Sequence, residues 1–131
     1  MTTQNFTGTT SLPAAVDYRT LSGGGYRAVQ RNGAGAAALC AAGGYPYGIM
    51  DGDKVRQGQQ TRIEGLEGRK QLKMDCGGAI AFNDYVGSDA EGRLVKITTP
   101  GQFVFGRADE VGVLGQVVAF TPLPPYPLPT P

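Results

Sequence analysis

Apolar residues along this chain fall in short runs separated by turn-forming clusters, not at the spacing of a helical face. The pattern is clearest in the last third. Ala79-Ile80-Ala81-Phe82, Tyr85-Val86, Leu94-Val95-Lys96-Ile97, Phe103-Val104-Phe105 and the stretch from Val111 to Phe120 alternate with Asn83-Asp84, Ser88 to Gly92, Thr99-Pro100-Gly101 and Arg107 to Glu110. Runs of this length bounded by Gly, Pro, Asn and Asp predict strands, and their regular spacing is that of a small barrel or sandwich.

The first half repeats the theme less cleanly. Gly23-Gly24-Gly25 marks a turn, after which Tyr26, Ala28 and Val29 lead into Asn32-Gly33, a hairpin signal. Residues 36 to 42 are rich in alanine, but glycines at 33, 35, 43 and 44 leave too little length for a stable helix, so the segment reads as a strand. Asp51-Gly52-Asp53 is another turn, followed by Lys54 and Val55. Residues 56 to 78 carry much of the charge around Ile63, Leu66, Leu72 and Met74, and a hairpin or exposed loop is expected there. The unit from Tyr26 to Ile49 resembles that from Tyr85 to Arg107 in its order of strand, turn, strand, glycine-rich loop and strand, the signature of a weak internal repeat.

The ends differ from the middle. Residues 1–20 are rich in Thr, Ser, Asn and Gln with only Phe6, Leu12 and Val16 as apolar anchors, which predicts an extended N-terminal arm. Residues 21–120 form a single β domain on this reading. Residues 121–131 have proline at six of eleven positions, so the tail is expected to be stiff, polyproline-II-like and unable to donate to a strand ladder, with Leu123, Tyr126 and Leu128 as its anchors. Proline limits the tail's freedom before it docks, which lowers the ordering cost of binding an apolar groove.

Composition narrows the function classes. The 131 residues suit one domain, and 21 glycines leave few uninterrupted helical windows. Twelve basic against eleven acidic residues give a formal charge of +1, not the field that draws nucleic acid. No run of about 18 apolar residues is present and residues 1–10 lack a secretory pattern, so no membrane partner and synthesis in the cytosol are expected. There is no histidine, which removes the usual general base and the Ser-His-Asp and Cys-His arrangements. Cys40 and Cys76 have neither CxxC spacing nor basic neighbours, and read as buried, reduced thiols. The acidic pairs Asp51/Asp53, Glu64/Glu67, Asp89/Glu91 and Asp109/Glu110 sit in glycine-rich turns as surface residues. Asp51-Gly52-Asp53 fails as a calcium loop because Val55 and Arg62 stand where oxygen ligands belong. No catalytic residue, cofactor or metal is expected.

Four segments together resemble the capsid decoration, or cement, proteins of tailed phages. They are Gly77 to Val86, Asp89 to Val95, Phe105-Gly106-Arg107-Ala108 and Gly115 to Phe120. The resemblance covers residues 77 to 120. It implies a mainly β, barrel-like or β-tulip-like domain that binds the outside of an expanded icosahedral shell at junctions between capsomers and reinforces it. The implied partner is the major capsid protein, with self-association as a trimer ahead of a dimer. Phe6 and Leu12 in the arm and Leu123, Tyr126 and Leu128 in the tail are then the expected contacts, and many weak contacts across several subunits add up to tight attachment. The competing reading is a β-barrel module for carbohydrate or peptide, with Tyr26, Tyr45, Tyr47 and Tyr85 lining a groove; an enzyme using acidic pairs ranks third.

Overall fold

The computed structural model describes residues 8–67 and 71–130. Among them the chain is all strand and turn, with no helix and hence none long and apolar enough to cross a membrane. The strands are β1 (Thr9–Pro13), β2 (Ala28–Arg31), β3 (Ala37–Leu39), β4 (Gly48–Met50), β5 (Gln60–Glu64), β6 (Leu72–Asp75), β7 (Tyr85–Ser88), β8 (Leu94–Lys96), β9 (Phe103–Ala108) and β10 (Val117–Pro127).

They build two antiparallel five-stranded sheets, ordered β1-β5-β4-β2-β3 and β6-β10-β9-β7-β8. Counted within its own half, each sheet has the same order, first-fifth-fourth-second-third. The repeat is therefore one of topology, and it extends to single residues. Ala28, Ala37 and Gln60, which open β2, β3 and β5, precede Tyr85, Leu94 and Val117, which open β7, β8 and β10, by one constant interval. At that interval Asn32 matches Asp89, and each side-chain Oδ1 accepts two backbone N–H groups of its own hairpin: Ala34 and Ala36 at 2.9 Å, Glu91 and Arg93 at 2.9 and 2.8 Å. Gln59 and Gln116 likewise accept from Arg56 N at 2.9 Å and Val113 N at 3.1 Å.

Each half encloses its own apolar centre. Leu12, Ala14, Tyr18, Val29, Ala37, Met50 and Ile63 pack together in the first half. Met74, Cys76, Ile80, Val86, Leu94, Ala108, Val118 and Phe120 belong to the second. The pleat explains the division: in β2 Val29 turns inward while its neighbour Ala28 faces the other half, and in β4 Met50 and Ile49 divide the same way. Ala28, Cys40, Ile49 and Leu66 thus join the second core and hold the halves together.

The joint also has a polar clamp. Arg27 and Asp75 are each 2% exposed and meet through Nε and Oδ2 at 2.8 Å. Asp75 further accepts Gly24 N at 2.9 Å and Gly25 N at 3.1 Å, and Arg27 donates to Glu91 O and Ser22 O, each at 2.9 Å. A buried pair is tolerable only when its remaining donors and lone pairs are used in this way. Backbone bonds from Ala28 N to Gly92 O at 2.7 Å and Gly43 N to Ser88 O at 2.9 Å complete the joint.

Neither sheet closes into a barrel: the outer strands of each approach only through an isolated parallel bridge, Ala14 to Ala37 and Cys76 to Leu94, and one bridge is not a ladder. Residues 8–20 are not an extended arm, because β1 pairs with β5 over its whole length and Tyr18, 1% exposed, donates its hydroxyl to Ala37 O at 2.7 Å. Residues 1–7 lie outside the described residues. Within 56–78 the described residues are not one hairpin or exposed loop: they hold β5 and β6, which belong to different sheets, and with few apolar residues in each the alternation of exposed Arg62 and Lys73 with more buried neighbours is too short to stand out in the sequence. Residues 79–82 keep a single bridge, Ile80 to Gly112, and residues 111–116 form a loop that precedes β10. The tail is the end of β10. From Thr121 onward β10 has β9 on one side and no longer pairs with β6, so prolines at that open edge forfeit no ladder bond. An irregularity between Pro122 and Tyr126 takes up the remaining misfit.

Candidate interaction surfaces

The residues expected to make contacts have varied fates. Phe6 lies outside the described residues. Leu12, 9% exposed, is part of the first core and has little surface to offer a partner. Leu123, Tyr126 and Leu128 are half-buried along the end of β10. Tyr126 is in register with Val104, and Leu128 donates N–H to Gln102 O at 2.8 Å while its own carbonyl accepts from Gly101 N at 2.9 Å. The tail is docked on its own sheet, leaving one side of these side chains open.

The four tyrosines have different neighbours. Tyr26 lies under the Lys73 ammonium at 5.0 Å in a cleft of about 230 Å³ where the halves meet, beside Ile49, Asp51 and Leu72. Tyr45 stands edge-on to Phe103 with ring centres 5.1 Å apart. Tyr47 packs against the first core, and Tyr85 lies 5.3 Å below the Arg107 guanidinium. They do not share a groove, and the cleft at Tyr26 is smaller than the several hundred Å³ a typical small-ligand site occupies.

The acidic residues mostly serve the architecture. Asp51 pairs with Arg62 at 2.9 Å, Asp89 with Arg93 at 2.8 Å and Glu91 with Arg93 at 2.9 Å. Asp109 accepts the Thr121 hydroxyl and the Gln71 amide, each at 2.9 Å, and Glu110 accepts Ala119 N at 2.8 Å. Among the described residues no group of three or more His, Cys, Asp or Glu side chains is placed to hold a metal ion. Both cysteines are buried and form no disulfide; the Cys76 thiol donates to Gly78 O at 2.8 Å, and burial pushes the Cys40 thiol above its ordinary range despite a contact with Ser88.

One surface escaped the sequence reading. Val111, Val113, Leu114 and Val117 are 70, 52, 63 and 39% exposed on the loop that enters β10, and Phe82, 61% exposed, stands in the adjoining turn. Their apolar run predicts the start of a strand, but Gly112 and Gly115 interrupt it and the side chains stand exposed. The matching loop of the first half, residues 54–60, carries Lys54, Arg56, Gln57 and Gln60 at the equivalent positions. Comparing the halves position by position would have exposed the contrast.

No family model and no curated protein matches this chain. Its fold, however, is similar to that in a crystal structure of the N base of the head fiber gp8.5 of bacteriophage phi29, with a TM-score of 0.66 and 19% identity over 89% of this chain and 96% of that one. At that identity the likeness establishes the fold.

Proposed function

We propose that this chain is a non-enzymatic structural protein of a bacteriophage virion, made in the host cytoplasm and placed on the capsid exterior. In this role it binds the expanded shell as a decoration protein, bridges capsomers through the major capsid protein and associates with further copies of itself. The observation that carries the reading is the shared fold with a phage head fiber base over nearly the whole of both chains. The arrangement of surface groups supports it, because acidic side chains brace turns and strands, the thiols are buried, and four of the exposed large apolar residues lie on one loop. The carbohydrate- or peptide-binding alternative loses its groove with the separation of the four tyrosines.

Co-sedimentation with expanded, undecorated heads from the same phage, with unexpanded proheads as the control, tests the proposal. Saturable binding to expanded heads alone is expected, and absence of binding to both overturns it.

A further inference from the structure

We propose that the 111–117 loop, with Phe82 beside it, is the surface on which a second copy of this chain docks, an inference that rests on the self-association included in the proposed function. The internal repeat supplies the comparison. Both loops are built alike: Gly58 and Gly115 have φ of 84° and 90°, and their N–H groups donate to Ala14 O at 2.9 Å and Cys76 O at 3.1 Å. The glutamine brace described above is common to both as well. The same backbone therefore presents Lys54, Arg56, Gln57 and Gln60 to solvent in one half and Val111, Val113, Leu114 and Val117 in the other. The fold does not require apolar residues there, since the first half manages without them. Hydrogen bonds between Ile80 and Gly112, and from Asn83 N to Ala108 O at 2.9 Å, hold the Phe82 turn against the start of the loop.

Area and charge select the occupant. With roughly 150–200 Å² per fully exposed residue, the observed exposures amount to about 430–570 Å² of largely apolar surface on one copy, at the upper end of what monomers leave bare. Two such patches meeting face to face remove about twice that from water, close to the ~1,000 Å² that separates specific interfaces from chance contacts. Residues 111–117 contain no charged side chain, so the centre of the patch meets its own copy without like-charge repulsion, while Glu110 and Asp84 lie at its rim. The glutamine brace orders the loop beforehand, which lowers the entropy lost on docking.

The test is sedimentation equilibrium of the full chain beside Leu114→Asp and, at the equivalent position of the first half, Gln57→Asp, with far-ultraviolet circular dichroism and thermal melting to confirm that both variants fold. Self-association is expected in the wild type, unchanged in Gln57→Asp and weakened at least tenfold in Leu114→Asp. A wild-type monomer, or a folded Leu114→Asp variant that associates normally, overturns the proposal. A wild-type monomer whose head binding is lost on Leu114→Asp assigns the loop to the shell instead, leaving the virion reading intact. Loop-dependent association without binding to heads overturns the virion reading and keeps this one.

Discussion

Thr61 points into the first core at 0% exposure, and its hydroxyl has no hydrogen-bond partner among the described residues. The equivalent residue in the second half is Val118, which has almost the same shape and no polar atom. A buried hydroxyl left unpaired costs about 1–3 kcal/mol relative to water. Thr61→Val should therefore raise stability by about 1–2 kcal/mol in urea unfolding monitored by circular dichroism; a loss of stability would show that the hydroxyl finds a partner in solution. Residue-level chemistry was partly legible beforehand. The lack of histidine and the poor setting of both cysteines can be read directly from the chain, whereas the Arg27–Asp75 clamp cannot, because residues so far apart in sequence carry no local sign that they meet.

At the scale of elements, local patterning located β7, β8 and β9 and the hairpin turns, where apolar runs and turn formers coincide. It falls short where a strand holds few apolar residues, as in β5 and β6, and where proline argues against pairing, as in the end of β10. Proline forbids a central strand, but an open edge accepts it. The end of β10 is consequently a structural element, and its removal has a graded effect. Truncation after Phe120 takes away buried Pro122, half-buried Leu123 and Tyr126 and the Leu128 backbone bonds, and should cost on the order of 3–5 kcal/mol in equilibrium unfolding. Truncation after Leu128 removes exposed Pro129 and Thr130 along with Pro131 and should leave the unfolding free energy within about 0.5 kcal/mol of that of the full chain. Equal losses in the two truncations would show that the strand contributes nothing.

For the molecule as a whole, the two halves offer matched experiments because one topology is met twice in different surroundings. Gly35 and Gly92 occupy the same hairpin position with φ of 77° and 73°. A Cβ at Gly35 meets nothing within 4 Å, but one at Gly92 lies 2.4 Å from Ala28 O, inside the joint between halves. Gly35→Ala should cost the left-handed backbone penalty of about 1–2 kcal/mol. Gly92→Ala should cost at least ~2 kcal/mol more, since the halves must separate locally to admit the methyl group. Equal losses in denaturant titrations would mean that the joint yields freely.

The strand order has a further consequence, during synthesis. In each sheet the strand made last lies between the first and the fourth, β5 between β1 and β4, and β10 between β6 and β9. The first sheet lacks the strand that joins β1 to β4 until Glu64 has left the ribosome, and the second lacks the one that joins β6 to β9 until the residues of β10 have followed. Between those moments the nascent chain carries one finished sheet whose Ala28, Cys40 and Ile49 still await the core they will share, so a cell making this protein must shelter that face for the time it takes to translate the second half.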